Sequence, residues 1–121
     1  MSDDTSPSPQ TVAQMRDDLQ ELGRLLRGAG HLNPATQREL AGLLEEFGRE
    51  LDPATLPSAQ TTHLAETVSR VARSVHEQQH AGLLATARDR LEEAARAAEV
   101  EAPVVTGIVR RFIDVLGSIG I

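Results

Sequence analysis

Apolar residues recur along this chain at helical spacing, and no stretch alternates as a half-buried strand would. Val12, Met15, Leu19, Leu22 and Leu26 follow a 3-4-3-4 spacing, the narrow seam of a coiled-coil-like helix. Leu40, Leu43, Leu44, Phe47 and Leu51 form one face of a second helix, and Leu64, Val68, Val71 and Val75 one face of a third. Leu84, Ala87, Leu91, Ala94 and Ala98 mark a fourth; the stripe would rotate away from the third if the two were continuous, which predicts a break or kink near Gly82. The sharpest segregation lies between Pro103 and Ile121. At about 100° per residue, Val104, Val105, Ile108, Val109, Phe112, Ile113, Val115, Leu116 and Ile119 fill one half-cylinder, and Thr106, Gly107, Arg110, Arg111, Asp114, Gly117 and Ser118 fill the other. An ordinary surface helix hides a stripe of about 100°, so this wider arc predicts cover from two directions.

Local signals set the element ends. Residues 1–10 are acidic, rich in Ser and Pro and without an apolar anchor, which predicts a disordered tail. Gly28-Ala29-Gly30 offers a left-handed C-cap to the first helix, and Asn33-Pro34 supplies an N-cap and a first-turn proline to the second, making the two an antiparallel hairpin. Gly23, beside the first seam, is placed to let a neighbouring backbone come close. Pro53 and Pro57 predict a loop before a third helix starting near Ser58, and Ala102-Pro103 separates the fourth helix from the last. Gly120 suits a C-terminal left-handed cap, with Ile121 folding back on Leu116. Glu45 and Arg49, and Glu92 and Arg96, are spaced to pair along their helices. The pattern thus predicts an all-α fold for residues 11–121. We expect a single small antiparallel bundle of four to five helices, with an N-terminal helical hairpin and an amphipathic C-terminal helix.

Composition narrows the partners. Two Phe and no Trp or Tyr in 121 residues leave the core to Leu, Val, Ile and Ala, which suits helix packing. All 12 basic residues are Arg, a pattern expected of a GC-rich genome, and the net charge of −6 argues against a nucleic-acid partner, which needs a basic surface. No apolar run approaches the roughly 20 residues of a membrane span, and no secretory leader is evident, so a cytoplasmic address is expected. Without Cys there is no thiolate or Cys-type zinc chemistry, and no cofactor is expected.

One motif bears on catalysis. His76-Glu77-Gln78-Gln79-His80 is HExxH, which on one helix presents two His at i, i+4 to zinc and a Glu as general base. Its flanks, Arg73 and Gly82, depart from the zincin pattern, and two exposed His on a polar helix edge is the simpler reading. His31 and His63 are expected as surface or capping residues. Adjacent acid pairs such as Glu92/Glu93 do not converge on one substrate atom. The last residues, Leu116 to Ile121, resemble the Leu/Ile-Gly peptides that direct cargo into encapsulin shells, although here they continue a helix.

The segment Asp89 to Ala98 (DRLEEAARAA), followed by Glu99-Val100-Glu101-Ala102-Pro103 and the ending Arg110 to Ile121 (RRFIDVLGSIGI), resembles the bacterial domain of unknown function 4404 family. That family is similar in its leading Leu-rich hairpin, here Val12 to Leu51, and in ending on Gly-Ile. The resemblance implies a small helical bacterial protein and carries over no activity, ligand or catalytic residue. The functional expectation is a non-enzymatic self-associating module. A homodimer would be formed through Val105, Val109, Phe112, Ile113 and Leu116 of the last helix and Val12, Met15, Leu19, Leu22 and Leu26 of the first. The first seam is coiled-coil-like, the C-terminal arc is wider than one hairpin normally covers, and the hairpin helices offer only one apolar face to meet both demands. The alternatives are a partner helix or peptide on the same C-terminal face, and a small zinc hydrolase using His76, Glu77 and His80.

Overall fold

The computed structural model describes residues 12–51, 58–78 and 80–120. Its regular structure is five helices, α1 (Val12–Arg27), α2 (Pro34–Glu50), α3 (Ala59–His76), α4 (Ala81–Ala98) and α5 (Pro103–Ser118), with no strand among the described residues. The fold is therefore all-α, with the third and fourth helices separate. The expected tail at 1–10, the loop over 52–57 and the contact of Ile121 with Leu116 lie outside the described residues.

The helix starts follow their local chemistry. Asn33 Oδ1 accepts the Thr36 N–H at 2.8 Å, with Pro34 in the first turn of α2, and Ser58 Oγ accepts the Thr61 N–H at 3.1 Å to open α3. α5 starts on Pro103, and Ala102 before it has no side chain that can cap the helix. At its far end Gly120 has φ +90°, and its N–H donates to the Gly117 carbonyl at 3.2 Å, one of the two bonds of a Schellman ending. The end of α1 differs from expectation. Neither Gly28 nor Gly30 is left-handed, and the helix closes instead by tightening, the Gly28 and Ala29 N–H groups donating to the Leu25 and Leu26 carbonyls.

Each helix has two principal neighbours. α1 packs on α2 and α3, α3 on α4, and α5 fills the gap between α2 and α4, so the order around the bundle is α1, α2, α5, α4, α3 and back to α1. All five contribute to one apolar cluster at the centre, in which Leu19, Leu26, Phe47, Leu64, Val71, Leu91, Phe112 and Leu116 are withdrawn from solvent almost completely. The two-sided cover expected for α5 thus comes from within the chain.

Two details depart from the simple helical wheel. Val104 stays 60 % exposed while Thr106, on the expected polar half, is buried. The helix is rolled so that its buried arc is shifted from Val104 toward Thr106. At the α1–α2 crossing, a Cβ on Gly23 would lie 3.2 Å from the Ala41 carbonyl oxygen and 3.2 Å from Glu45 Cγ, so the absent side chain admits both the α2 backbone and Glu45. Glu45 crosses to α1 and takes Arg27 with two bonds, Nη2 to Oε1 at 2.7 Å and Nε to Oε2 at 3.2 Å, instead of an ion pair with Arg49. The bond from Arg27 holds the Glu45 carboxyl below the usual carboxylate range, against a weaker opposing effect of partial burial. Glu92 and Arg96 form no ion pair with each other either. Arg110 and Arg111, on the polar half of α5, instead reach Glu99 at 2.8 Å and Glu46 at 3.2 Å.

Candidate functional site

HExxH does not sit on one helix. His76 is the last residue of α3, Glu77 is its C-cap, Gln78 turns with φ +57°, and His80 is the N-cap of α4. The helical premise behind two His at i, i+4 is therefore corrected: the chain leaves α3 before the second His is reached, and Gln79 lies outside the described residues. His80 Nδ1 is occupied as a cap, accepting the Gly82 N–H at 3.1 Å, and Gly82 itself lies inside α4 rather than at the break. Among the described residues no three His, Cys, Asp or Glu side chains come together as a metal site. The other histidines behave as structural or surface groups. His31 Nε2 lies 2.9 Å from the Val75 carbonyl and so ties the α1–α2 turn to the end of α3, while His63 is exposed.

The ten apolar residues expected at an interface are all core residues of the single chain. Val12, Met15, Leu19, Leu22 and Leu26 face α2 and α3, and Val105, Val109, Phe112, Ile113 and Leu116 face α2 and α4, none more than 9 % exposed. The reason is the ring order, which gives each of these helices a neighbour on both sides of its apolar face. A peptide docking on the C-terminal face would meet the same obstacle, because α2 and α4 already fill it.

What remains open is the outer face of α4. Leu83, Thr86, Arg90, Glu93, Ala97 and Val100 are all exposed, and they follow a 3-4-3-4-3 spacing of their own. Leu83 is 60 % and Val100 91 % exposed, the former in the first turn of α4 and the latter just past Glu99, whose backbone is still helical. Arg90 and Glu93 make no ion pair among the described residues. All residues of this face but Val100 form the α4 wall of a trough of about 620 Å³ between α3 and α4, floored by Val71, Ala87 and Ala94 and edged on α3 by His63, Thr67, Arg70 and Ser74. The smaller groove between α2 and α5 mixes both signs of charge and holds the Arg111–Glu46 pair. Sequence reading missed the α4 face because its central members are charged, and because Leu84 and Leu91 supply a more apolar stripe on the same helix. The signal was nonetheless present as a second series of 3-4 steps.

No helix is long and apolar enough to cross a membrane among the described residues. Residues 40–121, most of the chain, match the model of a family described as Domain of unknown function (DUF4404). No curated protein and no solved structure matches the chain.

Proposed function

We propose, for a chain that belongs to the family of the Domain of unknown function DUF4404, a role as a non-enzymatic module that works by self-association, using the outer face of α4. The observation that carries this reading is the pair of large apolar side chains left in water at the two ends of that face, Leu83 and Val100. Association through the ten residues first expected would require the bundle to open and give up its core. Association through α4 leaves every core contact in place. The face also lies wholly inside the part of the chain that matches the family model.

Light scattering over roughly a hundredfold range of concentration tests the reading. The expected result is a mass that climbs from that of the 13.0 kDa chain toward twice that value. A mass fixed at one chain throughout would overturn self-association and leave the α4 face to a different protein.

A further inference from the structure

We infer that two copies of this chain pair antiparallel through α4, about a two-fold axis passing between Arg90 and Glu93. The inference rests on self-association through that face and adds its orientation and register. In a seam of alternating 3- and 4-residue steps, antiparallel helices set each position of one class against a position of the other class on the partner. With the axis between Arg90 and Glu93, Arg90 meets Glu93 of the second copy, Thr86 meets Ala97, and Leu83 meets Val100. Each pair occurs twice by symmetry. The seam therefore reads the same from either end, with opposite charges at the centre, small residues next and large apolar residues outermost. That self-complementarity is what an isologous contact requires of one surface.

Three further features favour this arrangement. Asp89 and Arg96 flank the seam at levels that face each other across the same axis, again with opposite signs. Ala87 and Ala94, at the floor of the trough on the α3 side, pack against the chain's own core and put no large side chain in the way of the partner helix. Parallel pairing would set Arg90 against Arg90 and Glu93 against Glu93, so charge selects the antiparallel orientation. An ion pair at the middle of an interface gives little net affinity after desolvation, and its contribution is to fix register. One helix pair of about 27 Å buries a modest area, so the dimer should dissociate on dilution.

The test uses charge reversal. Arg90→Glu makes both central positions acidic, and Glu93→Arg makes both basic, so each variant alone places like charges across the axis. Each should self-associate roughly a hundredfold more weakly than wild type, or worse. An equimolar mixture should dimerise, because the acidic and basic copies then meet, and the double variant R90E/E93R should form homodimers again. Recovery on mixing also shows that neither single variant is unfolded. Homodimers that persist in both single variants, or a mixture that stays monomeric, would overturn the antiparallel register while leaving self-association standing. A monomeric wild type would overturn both.

Discussion

Gly23 and Gly42 lie on the two facing helices of the first hairpin, yet the same substitution should move stability in opposite directions. A Cβ on Gly42 meets nothing within 4 Å, so Gly42→Ala should gain the helix-propensity difference of about 1 kcal/mol. Gly23→Ala has the same gain but drives its methyl against the Ala41 carbonyl oxygen and the Glu45 side chain, a crowding that costs about 1–3 kcal/mol. Thermal melts should therefore rise for the first and fall for the second; a rise at Gly23 would mean that α2 moves aside freely. The close approach at Gly23 was readable from its place beside the α1 seam. Thr106 was not. It is 1 % exposed with its hydroxyl unpartnered, while Val104 at the opposite edge of the arc remains in water. Hydropathy along one helix locates an apolar arc, but the roll of that helix about its axis is set by the neighbours it packs against.

Between elements, the most specific tie is Glu45 to Arg27. The folded carboxyl titrates below its unfolded value, which is about 4.3, so the tie contributes fully above that value and is lost as pH falls through the folded value. Glu45→Gln should melt slightly below wild type at about pH 7, with the two curves converging as the pH drops below about 4. A gap that stays constant across this range would mean that the carboxylate charge contributes nothing. The pairing itself was not legible, since helical spacing pointed Glu45 at Arg49 and only the hairpin crossing brings Arg27 within reach. Element starts at Asn33 and Ser58 were legible because capping is local chemistry. So was the break between the third and fourth helices, from the change of apolar face. Its exact place decides the fate of HExxH: with the turn falling inside the motif, one His ends a helix and the other begins the next.

At the scale of the molecule, the expectation that α5 needs cover on two sides holds, and α2 and α4 supply it without a second chain. Phe112, 1 % exposed, is central to that closure, and Phe112→Ala should cost about 3–5 kcal/mol in denaturant unfolding, a large part of the stability of a small protein. The position of α5 also has a kinetic consequence. The pairs α1–α2 and α3–α4 join neighbours in sequence, whereas α5 reaches back to α2 across contacts such as Arg111–Glu46, 65 residues apart. Contacts that close long loops tend to form late, after the local hairpins have nucleated. Most of the loss in Phe112→Ala should then appear as faster unfolding, with the refolding rate little changed. Stopped-flow rates against denaturant would show it as a shift of the unfolding arm alone. An equal slowing of refolding would instead place α5 in the folding nucleus.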